Sequence, residues 1–118
     1  MNCIDIDCCV PQAQMNDAKT YLKRLFKHLW SHEKTYVLLK VDTLEFEVLE
    51  YKPTREQMRQ MVSRTLATAS IKDDDKHMLI VDDEALCGTG TVYCNLLAMM
   101  LYGTGHPVCG NVLIVPRS

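Results

Sequence analysis

The stretch Thr35-Tyr36-Val37-Leu38-Leu39-Lys40-Val41-Asp42-Thr43-Leu44-Glu45-Phe46-Glu47-Val48-Leu49-Glu50-Tyr51 decides the fold class of this chain. Its first half is rich in Val, Leu and Tyr, residues that suit a pleated surface. Its second half alternates Leu44, Glu45, Phe46, Glu47, Val48, the two-residue period of a half-buried strand. Asp42-Thr43 is too short a connection for anything but a hairpin, although it is not the favoured Asn-Gly type. Two strands are therefore expected over Thr35–Val41 and Leu44–Tyr51. The alternation slips at Val48-Leu49, which places a bulge or the strand's exit there.

Upstream of this hairpin, Ala18, Tyr21, Leu22, Leu25, Phe26 and Leu29 recur at the spacing of one helical face. Asn16 or Asp17 can cap this helix, and it should end near Ser31. Residues 1–16 show no period and read as an irregular arm ahead of a single domain over residues 17–118. Downstream, Pro53-Thr54 stops the second strand, and Thr54 with Gln57 has capping-box spacing. Met58, Met61, Val62 and Leu66 then give an apolar stripe. Asp73-Asp74-Asp75 reads as a solvated turn, His77 to Val81 as a third strand, and Asp82-Asp83-Glu84 as its close.

From Ala85 to Pro116 there is no Asp, Glu, Lys or Arg. Gly88-Thr89-Gly90-Thr91 leads into Val92 to Tyr102, read as a helix apolar on all sides and therefore buried. Gly103 supplies a left-handed stop, and Val112 to Val115 forms a last apolar strand. The order α-β-β-α-β-α-β describes an α+β fold, a small mixed β-sheet of about four strands with three helices largely on one face.

Composition narrows the function classes. At 118 residues, 47% hydrophobic and 24% charged, the chain suits one globular domain rather than a disordered segment. A formal net charge of -2 excludes a uniformly basic nucleic-acid coat. No apolar run reaches the roughly 18 residues needed to cross a bilayer. The acidic start, Met1 to Asp7, lacks the pattern of a signal peptide. A cytoplasmic protein without membrane partners is expected. Its cysteines, Cys3, Cys8, Cys9, Cys87, Cys94 and Cys109, are then reduced thiols rather than disulfides.

Two surfaces compete as sites. Lys19, Lys23, Arg24, Lys27 and His28 give the first helix a basic flank without acids, suited to an acidic protein surface. Nucleic acid ranks below it, because Tyr21, Phe26 and Trp30 read as helix-packing residues rather than base stackers. The alternative is a small-ligand or phosphate site where a strand passes into a helix: Cys87, Gly88, Gly90 and Thr91, with Asp82, Asp83, Asn95 and His106 nearby in sequence. That segment lacks the lysine of a P-loop and the third glycine of a dinucleotide fingerprint. A cysteine nucleophile would pair Cys87, Cys94 or Cys109 with His106. Zinc would need Cys3, Cys8 and Cys9 with His28 or His32, yet no Cys-x-x-Cys knuckle occurs. No catalytic residue, metal site or cofactor is therefore assigned. A homo-oligomer is compatible with so apolar a final third.

Leu79-Ile80-Val81-Asp82-Asp83-Glu84-Ala85-Leu86, Asn95-Leu96-Leu97-Ala98, Leu101-Tyr102-Gly103 and Pro107 to Val115 carry a family resemblance. Over about residues 35–116 the chain resembles a small uncharacterised domain family of phages, large DNA viruses and bacterial mobile elements (domain-of-unknown-function family 3846). Its members share a strand ending in acids, an Asn-containing helix and a closing Gly-Asn/Asp strand. This chain departs from them at Cys87 to Thr91, where members tend to have a Gly-Leu-Pro-type connection. The resemblance implies no catalytic residues. It points to a small accessory or regulatory protein; with polar groups that form no convergent catalytic set, the expectation is a non-enzymatic interaction module, viral or mobile-element encoded, that binds a host or viral macromolecule.

Overall fold

The computed structural model describes residues 7–8, 12–41, 45–83, 91–92, 95–103 and 108–117. Its elements are β1 (Asp7–Cys8), α1 (Gln12–Ser31), β2 (Tyr36–Leu39), β3 (Phe46–Leu49) and α2 (Arg55–Met61). They are followed by β4 (Leu66–Ile71), β5 (Asp74–Asp82), β6 (Thr91–Val92), α3 (Leu96–Tyr102) and β7 (Val112–Pro116). A five-stranded sheet runs β3-β2-β7-β5-β4, while β1 and β6 make a separate parallel pair.

The α+β class holds, but the sheet has one strand more than expected and every pairing within it is antiparallel. The extra strand is β4. Its Leu66 extends the apolar spacing of the preceding helix, so the sequence reads as helix where the chain has already turned. Leu-Ala-Thr-Ala-Ser-Ile carries too little contrast between faces for a two-residue period to stand out.

Both faces of the sheet are covered, rather than largely one. Val37, Leu39, Leu79, Val112 and Ile114 join Leu25 and Leu29 of α1 and Leu97 and Leu101 of α3 in one core. The residues between them, Leu38, Ile80, Leu113 and Val115, form a second cluster with Met58 and Met61 of α2. Alternate residues of a strand point to opposite faces, so a strand covered on both sides reads as continuously apolar. That accounts for β7; at the Val48-Leu49 slip, Leu49 packs into the second cluster while Val48 is left 41% exposed. No bulge lies there: Leu49 faces the second cluster and pairs with Tyr36 in unbroken register, and the strand ends at Leu49.

Helix α1 begins at Gln12, ahead of the expected cap at Asn16 or Asp17. Gln12, Ala13, Gln14 and Met15 are good helix formers, so the helix extends into the arm without an apolar period. Its end at Ser31 is as expected. In α2 the capping box is formed: Thr54 Oγ1 accepts from Gln57 N–H at 3.1 Å, and Gln57 Oε1 accepts from Thr54 N–H at 2.8 Å. Helix α3 starts at Leu96 rather than Val92, because Thr91–Val92 pairs in parallel with Asp7–Cys8. Gly103 ends it in the left-handed region, φ +76°.

Two asparagines tie the layers together. Asn95 is buried; its Oδ1 caps α3 through Ala98 N–H, and its Nδ2 donates to Leu39 O and Gly110 O, both at 3.0 Å. Asn111 accepts from Val41 N–H at 3.0 Å and donates to Met61 O at 3.1 Å. The Gly-Asn entry to β7 thus has a structural reason: Gly110 adopts φ +81°, and the next side chain bridges β2 and α2.

Candidate functional site

Lys19, Lys23 and Lys27 recur every four residues along α1, and Trp30 follows one turn later. Residues three and four apart stack on one helical face, so these four side chains form one ridge about 16 Å long at 1.5 Å per residue. All are exposed, and Trp30 is 65% exposed. The opposite face of the helix, Ala18, Leu25 and Leu29, is buried in the core and fixes the ridge outward. Among the described residues no carboxylate forms an ion pair with these lysines.

The structure therefore changes the role expected of Trp30. Tyr21 and Phe26 do pack against the core. Trp30 touches Phe26 with one face, ring centroids 5.1 Å apart, and presents the rest to solvent. Large exposed aromatics beside cations are typical of recognition surfaces, because a rigid ring gives much contact area for little lost conformational freedom.

Two members of the expected basic flank behave differently. Arg24 is exposed, but its guanidinium lies over the Tyr21 ring at 5.5 Å. His28 is half-buried; its Nε2 meets Thr35 Oγ1 at 2.8 Å, and its ring stacks on His32 at 4.4 Å. Partial burial, then repulsion from His32 and His77, holds the His28 imidazole below its ordinary range. That disfavours its charged form, so His28 adds less positive charge than an exposed imidazole would.

The alternative site loses its helix. Thr91 belongs to a strand, α3 starts at Leu96, and the α3 N-terminus is capped by Asn95. Asn95 is engaged in three structural hydrogen bonds. Asp82 ends β5, and Asp83 is exposed with its N–H donated to Thr65 O at 3.0 Å. Cys87, Gly88, Gly90 and His106 lie outside the described residues, as does Cys94. Cys109 carries a buried thiol. Among the described residues no cluster of His, Cys, Asp and Glu is arranged to hold a metal.

The sequence also concealed a buried titratable couple. Asp74, expected in a solvated turn, has a side chain only 2% exposed, and that of His77 is 1% exposed. Lys72-Asp73 makes the turn itself, with Asp73 at φ +66°. The register then shifts, so that Ile71 pairs with Asp74 while Ser70 pairs with Met78. In that irregularity Asp74 Oδ1 accepts from Lys76 N–H at 2.8 Å and His77 N–H at 3.2 Å. His77 Nδ1 meets Asp74 Oδ2 at 3.0 Å, and Nε2 donates to His32 O at 3.1 Å. A carbonyl only accepts, so Nε2 carries a hydrogen. With both ring nitrogens engaged and neither group open to solvent, the couple fastens the end of α1 to β5.

At the same end of the sheet lies a cleft of about 610 Å³. Helix α2 has seven residues, about 10 Å at 1.5 Å per residue, too short to cover a sheet five strands wide. The uncovered part of its face becomes the cleft, floored by Tyr36, Met58 and Val115 and rimmed by charged side chains. Among the described residues no helix is long and apolar enough to cross a membrane. No family model, curated protein or solved structure matches this chain.

Proposed function

We propose that this protein is a non-enzymatic accessory or regulatory module that binds an acidic protein surface through the α1 ridge. The observation that carries the reading is Trp30, 65% exposed in line with three lysines that have no ion-pair partner among the described residues. Opposite charge steers the encounter, and the ring supplies the desolvated anchor. The resemblance of residues 35–116 to a family of phages, large DNA viruses and mobile elements supports a viral or mobile-element origin. That origin, the family membership and a cytoplasmic location are parts of the proposal.

The test uses the chain's single tryptophan as its own probe. An acidic peptide of Glu and Leu is titrated into the protein while Trp30 emission is followed. A saturable blue shift is expected, weakening with salt as screened charges require. Lys23→Glu with Lys27→Glu should abolish it, whereas reversal of Arg59 on α2 and Arg64 in the turn after it should not. Equal loss in both variants would reduce the ridge to general charge attraction and overturn the assignment. A response to single-stranded DNA but not to the peptide would replace the acidic protein with nucleic acid.

A further inference from the structure

The cleft beside α2 is independent of the α1 ridge, which belongs to the layer on the other face of the sheet. Its rim is charged in an unequal way. Lys76 Nζ is bonded to Glu33 Oε1, so these two neutralise each other; the contact draws the Glu33 carboxyl below and the Lys76 ammonium above its ordinary range. Lys34, Lys52 and Arg117 then face Asp75 alone, three cations against one carboxylate. That excess of two positive charges sits on a chain whose net charge is -2.

Arg117 is held in place. Its backbone N–H donates to Lys76 O at 2.8 Å, and its Nε donates to His77 O at 3.3 Å. With Nε engaged, the two Nη groups are left as the guanidinium's remaining donors. A guanidinium fixed by its own backbone and Nε loses little freedom when it binds a phosphate or carboxylate in the paired geometry it favours. Below it, Tyr36, Met58 and Val115 offer an aromatic ring and an adaptable apolar floor. The volume of about 610 Å³ lies within the range of small-molecule sites.

We infer that this cleft binds a small organic phosphate monoester bearing a flat apolar group. The phosphate would lie at Arg117 between Lys34 and Lys52, with its flat group on Tyr36 and Met58. A monoester carries about two negative charges near pH 7, which matches the excess on the rim. A carboxylate of the same shape carries half that charge and is expected to bind more weakly.

The experiment follows backbone amide shifts of the full chain by NMR during titration with phenyl phosphate, benzoate, inorganic phosphate and benzyl alcohol. Phenyl phosphate should shift Tyr36, Met58, Lys76 and Arg117 saturably. Inorganic phosphate and benzoate should each bind at least tenfold more weakly, and benzyl alcohol should leave these residues unmoved. Arg117→Gln should weaken phenyl phosphate binding at least tenfold, and the Lys34→Gln, Lys52→Gln pair should weaken it without touching Arg117's backbone anchor. Lys23→Glu with Lys27→Glu should leave it unchanged, which separates this site from the ridge. The inference is overturned if phenyl phosphate produces no saturable shift up to about 10 mM. It is also overturned if inorganic phosphate binds equally well, or if Arg117→Gln and the lysine pair retain full affinity with a native spectrum.

Discussion

Asn95 is the residue at which capping and layer-to-layer bonding can be separated by one substitution. Its Oδ1 accepts from Ala98 N–H at 3.3 Å, the bond of an N-cap, while its two Nδ2 hydrogens reach Leu39 O and Gly110 O at 3.0 Å. Asp caps a helix about as well as Asn does, so a purely capping residue would tolerate Asn95→Asp within a few tenths of a kcal/mol. In this structure the same change removes both donors and sets a carboxylate oxygen against two carbonyl oxygens at a site 3% exposed. Leaving a buried polar group without its partner costs roughly 1–3 kcal/mol. Two carbonyls and a buried charge together give a loss of about 3–5 kcal/mol. Asn95→Ala loses the cap, about 1 kcal/mol, and the same two donors, but buries no charge. Asn95→Asp should therefore be at least as destabilising as Asn95→Ala. Urea denaturation followed by far-UV circular dichroism measures both against the wild type, and a loss of 3 kcal/mol should also lower Tm by roughly 10–15 °C. A stability of Asn95→Asp within about 0.5 kcal/mol of wild type would show that the bonds to Leu39 and Gly110 contribute nothing, and would refute the strut.

Three further outcomes are expected. Gly110→Ala meets no atom within 4 Å, so its cost should be only the strain of φ +81° in a residue with a Cβ, about 1–2 kcal/mol in chemical denaturation. Thr54→Ala and Gln57→Ala should each destabilise by about 1 kcal/mol, and the double variant by less than their sum, because each removes half of one reciprocal pair. The lowered His28 value fixes a sign for pH: the unfolded side chain takes its proton near 6.5, the folded one only at lower pH. Stability present above pH 6.5 is therefore lost as pH falls toward the folded value. His28→Gln should flatten the fall in urea midpoint between about pH 7 and 5.5, and an unchanged slope would assign it to other groups.

Features governed by neighbours in sequence are legible in the sequence alone. Thr54 and Gln57 close a reciprocal cap over three residues, and Gly103 supplies a conformation that other residues adopt at a cost. The α1 stripe and the β2–β3 pairing likewise follow from local period. Other features were hidden because burial by distant segments decides them. Asp74 stands in a run of three aspartates that any local reading places in water, and only the folded turn sets it against His77 and the end of α1. β4 was masked by Leu66, whose position suits a helical stripe until Ser63-Arg64 turns the chain. Trp30 reads as a helix-packing residue beside Tyr21 and Phe26, whereas its angular position beside Lys19 and Lys23 sends it outward.

The stretch from Thr35 to Tyr51 thus determined by itself that two strands pair as neighbours, since a two-residue period and a short turn allow little else, and the helical stripes on either side of it made the chain α+β. The tertiary structure decided which faces of those strands are covered. It also made Asn95 and Asn111 structural ties and brought the lysines, Arg117 and Tyr36 around one cleft. The physical reason is range: backbone propensity and capping act within a few residues, whereas burial, strand order and charge excess are sums over segments far apart in the chain.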